Sequence, residues 1–443
     1  MSNRMKAWFV VTLVTIGVAA CDRSEPDANP VWAVNVGGPA YVGVDGTAYA
    51  AETSVQGGTV GKMETVKGSQ DAPLYYEYRK GDIEVSHPIA DGSYDVTFHF
   101  AEPDEIGGRE RLFDVIVEGV TVIDDLDVMV SRDGKTISAL TVTVPNIEVA
   151  DGTLDVEFEA SVNEPVLSAI VVRRESPPAD DWQLVWNDEF DGPELDASRW
   201  TPDIWPPRKV NDEDQAYTGR EKNLRIENGM LVIEAHKEDF EDAVYTSGRV
   251  HSDGKGDFLY GRFEVRAKLP RGQGSWPAIW MLPSDPFRYA TKCEEGDDWQ
   301  GSADCDAWPN SGEIDIMEHV GYEMGHIHGT VHNEAYYWAK WEQRKGRILF
   351  DDVDENFHVY ALEWSPERID AYVDDSLYFS YVNEQQGWRS WPYDQPFHLI
   401  LNIAVGGAWG RAGGPIDDSI FPQRMLIDYA RVYQRQGAGL VED

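Results

Sequence analysis

Apolar and polar residues alternate along several segments in the first third of the chain. In residues 94–100 every second side chain is Tyr, Val or Phe, and residues 154–158 repeat the pattern with Leu, Val and Phe. A period of two places one set of side chains on one face of a β-strand. Asp-Gly pairs that begin at Asp91, Asp133 and Asp151 are typical of tight turns. This part of the chain is therefore predicted to form a small antiparallel β-sandwich.

The same pattern returns after a polar, proline-containing stretch at residues 175–181. Proline fits neither a helix interior nor a central strand, so this stretch is predicted to be a linker. It separates a domain at residues 28–174 from a larger one at residues 182–436, and we expect an all-β protein of two sandwiches. Strands of the larger domain are predicted at residues 231–235, 261–267, 369–373 and 397–403.

One short segment of the larger domain brings three carboxylates together. Glu313 and Asp315 share a face of a regular strand, whereas Glu318 lies five positions after Glu313 and would point away from it. A one-residue bulge with Met317 as the extra residue would return Glu318 to that face, and bulges are frequent beside active sites. A close pair of carboxylates predicts a retaining glycosidase. The alternative is an ordinary acidic strand face in an acidic protein.

Tryptophan is frequent in the same domain, and its flat ring suits sugar binding. Trp276 is assigned to a binding groove, while Trp280 is assigned to either the groove or the core. His326, His328 and His332 alternate on a predicted strand, which raises the alternative of a metal site. No further ligand is evident and glycosidic cleavage needs no transition metal, so His332 is interpreted as a groove residue.

The first twenty residues have the layout of a bacterial export signal. Basic residues near the start precede an uncharged run at residues 7–20, which is too short to span a membrane as a helix. Small residues before Cys21 favour a lipoprotein signal at residues 1–20, in which Cys21 is lipidated. We expect a monomer anchored to a membrane, in the periplasm or at the cell surface. A plain secretion signal, and hence a secreted protein, is the alternative.

The remaining cysteines form an even pair. Cys293 and Cys305 are predicted to form one disulfide, because exported proteins meet oxidising conditions. A zinc site is the alternative, but two thiols so spaced lack the further ligands that it needs.

The formal net charge is −41, from 38 basic and 79 acidic side chains. Such a charge disfavours nucleic acid as a partner, and it suits a neutral glucan better than a sulfated or carboxylated chain. Adaptation to salty surroundings is an alternative cause of the same acidity.

The larger domain resembles the family 16 glycoside hydrolases, in particular the bulged type that includes bacterial laminarinases. The resemblance covers residues 182–435 and includes Ser-Gly-Glu-Ile-Asp-Ile-Met-Glu-His-Val-Gly at residues 311–321. It implies a concanavalin-like β-jelly roll with a concave groove, Glu313 as nucleophile, Glu318 as acid/base and Asp315 as the assisting residue. The other matching segments are residues 186–192, 248–250, 260–282, 328–332, 357–364, 401–407 and 427–433.

The same resemblance implies positions that bind sugar and calcium. Many members of the family hold a calcium ion on the convex face, where oxygen ligands suit it. No cofactor is expected to be required for catalysis. Sugar contacts are expected from Asn211, Arg249, Trp276 and His332. The matching calcium positions are Glu189, Gly229 and Asp428.

The smaller domain resembles the malectin-like carbohydrate-binding domains. It carries Val-Trp-Ala-Val-Asn-Val-Gly-Gly at residues 31–38, Phe-Ala-Glu at residues 100–102 and a matching run from Arg111. Sugar-binding members have an aromatic pair soon after the second element, whereas Pro103 and Asp104 follow here. Sugar binding and a role as a rigid spacer are both left open for this domain.

These observations together predict an endo-acting β-1,3-glucanase that cuts laminarin-like glucan by double displacement. One alternative keeps the fold and the mechanism but changes the substrate to agarose, another galactan or a mixed-linkage glucan. The long loop at residues 283–310, which precedes the carboxylate strand, would rim the groove and affect that choice. A further alternative is a non-catalytic glucan-recognition protein. Such proteins lose the catalytic glutamates, and Glu313 and Glu318 are both present.

Overall fold

The computed structural model describes residues 30–132, 134–174 and 181–435. Strands dominate these residues and the helices are short turns, as the alternation of side chains predicts. No helix within the described ranges is long and apolar enough to cross a membrane. The predicted signal, Cys21 and most of the predicted linker lie outside the described residues. The all-β prediction is confirmed.

Two sheets form the N-terminal domain and enclose a core in which Phe98 and Phe100 are fully buried. Its strands are β1 Trp32–Asn35, β2 Tyr41–Val42, β3 Ala48–Ala51, β4 Val55–Lys62, β5 Glu77–Pro88, β6 Gly92–Phe100, β7 Leu112–Val117, β8 Val120–Leu126, β9 Leu140–Val149, β10 Thr153–Val162, β11 Val166–Leu167 and β12 Ala169–Arg173. Helix α1 is Val128–Ser131, and Ala72–Tyr75 is a 3₁₀ turn. The sheet orders are β9-β6-β12-β1-β3-β2 and β11-β5-β10-β7-β8, with β4 beside β5.

The C-terminal domain is a larger sandwich. Its strands are β13 Gln183–Asp188, β14 Thr201–Pro202, β15 Gln215–Tyr217, β16 Leu224–Ile226, β17 Leu231–Phe240, β18 Ala243–Ser247, β19 Arg249–His251, β20 Asp257–Phe258, β21 Gly261–Lys268, β22 Ser275–Pro283, β23 Glu313–Glu318, β24 His326–His332, β25 Arg344–Leu349, β26 His358–Trp364, β27 Arg368–Val373, β28 Ser376–Val382, β29 Phe397–Val405 and β30 Gln423–Gln434. Short helices α2 and α3 are Ala307–Asn310 and Gly407–Gly410, and Trp338–Lys340 and Asp418–Ile420 are 3₁₀ turns.

The two sheets of this domain have different roles. One has the order β14-β19-β29-β22-β23-β24-β25 and carries the carboxylate strand β23 near its middle. The other has the order β15-β18-β17-β30-β21-β26-β27-β28, with β13 beside β30 and β16 beside β17. One apolar core lies between them and takes side chains from both. The strands predicted in this domain correspond to β17, β21, β27 and β29.

The long loop before β23 is closed by the predicted disulfide. Cys293 and Cys305 are bonded, with their Cα atoms 5.0 Å apart. In the chain-entropy model a loop of this size contributes on the order of 3 kcal/mol of stability. The prediction of one disulfide is confirmed, and the zinc alternative is wrong.

The two domains contact each other at the edge of the sheet that carries β23. Strand β25 meets β9 of the N-terminal domain in a short parallel pairing. The Gln70 amide accepts a hydrogen bond from the Val382 N–H at 3.0 Å and donates one to its carbonyl at 2.8 Å, and so acts as a further strand residue at the edge of β28. Arg347 on β25 donates to the Ser131 hydroxyl at 3.0 Å. The contact covers sheet edges that would otherwise expose unpaired backbone groups.

Candidate active site

A β-bulge in β23 aligns the three carboxylates. Asp315 and Glu318 are three positions apart on β23, but the residues that pair with them on β24 are only two positions apart. Against β22, Met317 and Asp315 pair with consecutive residues, so Ile316 is the extra residue. The predicted bulge is confirmed, but its extra residue is Ile316 and not Met317. The bulge returns Glu318 to the face that carries Glu313 and Asp315.

Apolar side chains between the carboxylates fix the orientation of the strand. Ile314, Ile316 and Met317 are fully buried in the core of the sandwich. Burying each of them is worth about 1.5–3 kcal/mol, so the strand cannot turn over without a large loss of stability. The acidic side chains are therefore held on the other face, where Asp315 and Glu318 are 3% and 9% exposed.

Two indoles hold the glutamates. The Trp308 Nε1–H donates to Glu313 Oε2 at 3.0 Å, and the Trp276 Nε1–H donates to Glu318 Oε1 at 3.1 Å. Each bond fixes one carboxylate oxygen and leaves the other for a reacting group. The buried Asp315 Oδ2 has no hydrogen-bond partner among the described residues. A buried acceptor without a partner is costly, which favours a protonated Asp315.

Burial raises the pKa of all three carboxyls. It raises the pKa of Glu313 to about 8, with a further contribution from the charge of Glu318. It raises the pKa of Glu318 to about 7, although the Lys345 cation and the Trp276 hydrogen bond lower it. The pKa of Asp315 lies well above its usual range because of burial and the two neighbouring glutamates. The cluster therefore retains protons near neutral pH, and these protons belong to the coupled group as a whole.

His332 lies against the same carboxylates from β24. Its Nε2 is 3.6 Å from Glu313 Oε1 and 3.6 Å from Asp315 Oδ2. Burial lowers the pKa of His332 to about 3, so the imidazole is neutral near pH 7. A neutral ring in this position lines the site without cancelling the charge of the carboxylates.

A cation that sequence analysis missed lies on the next strand. Trp280, Asp315, Thr330 and Lys345 are successive partners across β22, β23, β24 and β25, so their side chains share one face. Lys345 Nζ lies 4.3 Å from the centre of the Trp409 ring. Lys345 therefore supplies positive charge close to the three carboxylates, and it lowers the pKa of Asp315 and Glu318.

The remaining predicted sugar contacts lie on the same sheet or at its end. Arg249 is buried between the rings of Trp205 and Trp280, at 4.3 and 4.8 Å from their centres, and donates to Asp203 at 2.8 Å. Trp280 is half-buried and donates to Asn402 Oδ1 at 2.7 Å. Arg249 and Trp280 therefore pack against each other, and each is also held by a hydrogen bond.

Asn211 lies in the loop before β15. Its amide donates to Glu213 Oε1 at 3.2 Å, and its backbone carbonyl accepts a hydrogen bond from Ala408 at 3.0 Å. The roles of Asn211, Arg249, Trp276, Trp280 and His332 in sugar binding stay predictions.

The predicted calcium positions are occupied by ion pairs. Both oxygens of Glu189 accept bonds from Arg431, at 2.9 and 2.7 Å, and Asp428 accepts one from Arg266 at 2.6 Å. Gly229 lies in a turn with a φ of 73°. A guanidinium beside each carboxylate repels a cation, so these side chains as placed fit calcium poorly. Calcium binding there stays a prediction.

The alternative metal site at three histidines finds no support in the structure. Within the described residues, His326, His328 and His332 do not form a cluster that could hold an ion. His328 packs against the Trp409 ring at 5.1 Å, and the His326 ring lies 3.3 Å from the Met324 carbonyl.

Sequence analysis missed three residues that shape the site: Trp308, Lys345 and Trp409. Trp308 had a signal, since it is an aromatic residue shortly before the carboxylate strand. Lys345 and Trp409 lie far from that strand in sequence and reach it only through strand order and a loop.

Comparison with known proteins agrees with this geometry. The model of glycosyl hydrolases family 16 matches residues 211–431. The β-glucanase of Rhodothermus marinus is 48% identical over 266 residues, which cover 58% of this chain and 87% of that protein. The chain belongs to glycosyl hydrolases family 16. A second relative, the glucan endo-1,3-β-glucosidase of Cryptopygus antarcticus, is 36% identical over 251 residues, or 54% of this chain and 85% of that protein.

A solved structure of the family shows the same fold. The X-ray structure of the laminarinase from Rhodothermus marinus matches with a TM-score of 0.52 and 47% identity, and the match covers 57% of this chain and 98% of that chain. The malectin domain model matches residues 30–173. The jelly-roll and malectin-like expectations are therefore both confirmed.

Proposed function

We propose that this family 16 enzyme is a retaining, endo-acting β-1,3-glucanase that cleaves laminarin-like glucan. The observation that carries the proposal is the bulge in β23, which places Glu313, Asp315 and Glu318 on one face with an indole donor on each glutamate. The names of two relatives, the β-glucanase of Rhodothermus marinus and the glucan endo-1,3-β-glucosidase of Cryptopygus antarcticus, support β-glucan as the substrate. The large negative charge also favours a neutral polysaccharide.

In the proposed mechanism the two glutamates have different roles. The Glu313 carboxylate attacks the anomeric carbon while Glu318 gives its proton to the bridging oxygen, so the glycosidic bond breaks and a glycosyl-enzyme ester forms. Glu318 then takes a proton from water, and the resulting hydroxide attacks the anomeric carbon and releases Glu313. The Trp308 bond leaves one Glu313 oxygen available for the attack.

The roles of Glu313 and Glu318 do not depend on which of them has the higher pKa in the site without substrate. Both glutamates have raised pKa values because three carboxyls share a buried site, and a positively charged sugar in the transition state would favour ionisation of Glu313. Asp315 lies within reach of both glutamates and of neutral His332, and it can hold the proton that separates their charges. The neighbouring cation Lys345 limits the rise in the pKa of Glu318.

We also propose that the chain is exported and anchored through a lipid on Cys21, as a monomer. The uncharged run before Cys21 supports this proposal. Cells fed a radiolabelled fatty acid should label the full-length protein but not a Cys21→Ala variant. Equal labelling of both proteins, or none in either, would contradict the anchor.

The test of the function is the release of reducing ends from laminarin, mixed-linkage glucan and agarose by the purified protein and by a Glu313→Ser variant. Cleavage of laminarin that is lost in the variant would support both the substrate and the nucleophile. Cleavage of agarose alone would overturn the glucan assignment and keep the mechanism. Binding of all three without cleavage would overturn the enzyme assignment.

A further inference from the structure

Two tryptophans beside the active site are unusually exposed. Trp338 and Trp341 are 56% and 52% exposed, and no other tryptophan in the described residues is among the exposed large hydrophobic side chains. They lie three residues apart across one 3₁₀ turn, closed by a bond from the Trp341 N–H to the Trp338 carbonyl at 3.0 Å. Leaving large apolar rings in water forgoes the stability that burial would give. Such a surface commonly serves to bind a ligand.

This turn is connected to the nucleophile candidate through aromatic contacts. Trp308 donates to Glu313 Oε2 at 3.0 Å, and its ring meets the Tyr337 ring edge-on at 5.7 Å. Tyr337 is the residue directly before the turn, so only two side chains separate Glu313 from Trp338. The exposed indoles therefore continue the Glu313 end of the active site.

The N-terminal domain holds this turn in place. Glu342, the residue after Trp341, accepts a hydrogen bond from the Gly68 backbone at 3.2 Å and pairs with Lys67 at 3.7 Å. Lys135 of the same domain places its Nζ 5.8 Å from the centre of the Trp341 ring. Trp341 itself adopts a left-handed backbone, with a φ of 63°, which costs conformational energy unless surrounding contacts hold it.

We propose that Trp338 and Trp341 form a further binding surface for the part of a neutral glucan chain that extends past the Glu313 end of the site. The N-terminal domain acts as a positioning element for this surface. The inference rests on the proposed function, since it assumes a polysaccharide in the groove. Indole faces suit the apolar faces of sugar rings, and the net charge of −41 disfavours an anionic polymer.

The experiment compares the full-length chain with Trp338→Ala, Trp341→Ala and the double variant. Val120→Ala is the matched control, because Val120 is also an exposed apolar residue, at 62%, and is the first residue of β8 in the N-terminal domain. Each protein is assayed on laminarin and on laminaritriose, whose three sugar rings leave little chain to extend past the catalytic residues. We expect the KM for laminarin to rise roughly three- to tenfold in each tryptophan variant, with unchanged kcat/KM on laminaritriose.

A second set of variants distinguishes loss of the aromatic ring from loss of folding. It also tests whether the N-terminal domain positions the turn. Trp341→Phe keeps an aromatic face and should recover part of the lost laminarin affinity, while unfolding midpoints should stay close to that of the parent. Glu342→Gln should also raise the KM for laminarin, because it removes the ion pair with Lys67 of the N-terminal domain. Glu77→Gln, which breaks a surface pair with Lys62, should have no effect.

The outcomes distinguish the two proposals. If the parent releases no sugar from laminarin, the proposed function is wrong, whatever the variants do. If the parent cleaves laminarin and the tryptophan variants match Val120→Ala, the proposed surface is wrong. The surface is also wrong if the variants abolish self-association in sedimentation without changing the KM, because the indoles would then form a protein contact.

Discussion

Each domain contains a cluster of acidic side chains, and the surroundings of the two clusters are opposite in charge balance. In the N-terminal domain Glu102 is fully buried, but it accepts bonds from Arg111 at 2.7 and 3.1 Å. Asp104 in turn accepts from Arg111 at 2.6 Å and from Lys80 at 2.7 Å. The hydrogen bond from Lys80 is the main reason that the pKa of Asp104 lies below its usual range. In this cluster the carboxylates are matched by the opposite charges of Arg111 and Lys80.

In the catalytic domain, the three buried carboxylates of the active site lack such direct partners. Glu313 and Glu318 each accept a hydrogen bond from an indole. The cations Arg249 and Lys345 lie nearby, yet the pKa of each of the three carboxyls is raised. Matched charges stabilise a fold by satisfying each other, whereas unmatched carboxyls cost stability and keep protons available for chemistry. The contrast separates a structural cluster from a catalytic one without reference to family.

The same contrast bears on sugar binding by the N-terminal domain. Asp104 stands where sugar-binding malectin-like domains have aromatic residues, and its side chain is committed to Arg111 and Lys80. This loop is therefore held by ion pairs, and sugar binding and a role as a rigid spacer both stay open for the domain.

The largest expected effect comes from removing a catalytic carboxylate. Glu313→Gln and Glu318→Gln should each lower kcat on laminarin by roughly 10³-fold or more, because covalent and proton-transfer steps are lost. Both variants should stay folded, since glutamine keeps the shape of the side chain. Glu159→Gln, at an exposed position of β10, is the control and should remain fully active. More than a tenth of the parent activity in either variant would contradict the assignment.

The second prediction concerns the ion-pair cluster of Glu102, Asp104 and Arg111 in the N-terminal domain. Arg111→Met should destabilise the N-terminal domain by about 3–5 kcal/mol, because it strands Glu102 as a buried charge. The folded variant should still cleave laminarin. Urea unfolding monitored through this domain measures the loss, and adding Glu102→Gln should restore much of it. An Arg111→Met protein as stable as the parent would show that the pair is not a structural element.

Stability against pH gives a third test. The pKa of Glu313 is raised in the folded state from an ordinary 4.5 to about 8. This group therefore lowers the stability of the protein progressively as pH rises from about 4.5 to about 8, and it costs nothing below 4.5. Glu313→Gln should therefore melt higher than the parent at pH 9, by at least about 2–4 °C, and at nearly the same temperature at pH 4. Equal melting temperatures at both pH values would contradict the raised pKa.

The smallest expected effect concerns Lys345. Its charge lowers the pKa of Glu318, so Lys345→Met should raise that pKa and move the alkaline limb of the pH profile of kcat/KM to higher pH. Lys268→Met, on the neighbouring sheet, is a control that should leave the profile in place. A limb that moves to lower pH would mean that Lys345 does not act on the acid/base.

Much of the fold and the core of the site followed from local patterns. Alternation predicted the strands, and the spacing of Glu313 and Glu318 required the bulge because strand faces repeat every two residues. The pattern of apolar residues could not predict whether Ile316 or Met317 is the extra residue of the bulge, because both are apolar and both enter the core.

Other features depend on strand order and could not be derived from spacing. Lys345 reaches Asp315 only because β24 pairs with β23 and β25 in one particular register. The contact between Gln70 and Val382 joins residues 312 positions apart. The ion pairs at the predicted calcium positions could not be foreseen for a related reason, because the arginines that pair with Glu189 and Asp428 are distant in sequence.

The central claim, that Glu313 is the nucleophile of a retaining β-1,3-glucanase, is tested most directly by trapping the intermediate. The full-length protein is incubated with a 2-deoxy-2-fluoro laminaribiosyl donor, digested and analysed by mass spectrometry. We predict that one 2-deoxy-2-fluoro laminaribiosyl group is attached to the peptide that contains Glu313. Activity should fall in proportion to the fraction of protein labelled. Labelling of a different carboxylate, or full activity against laminarin with no adduct on any peptide, would contradict the account.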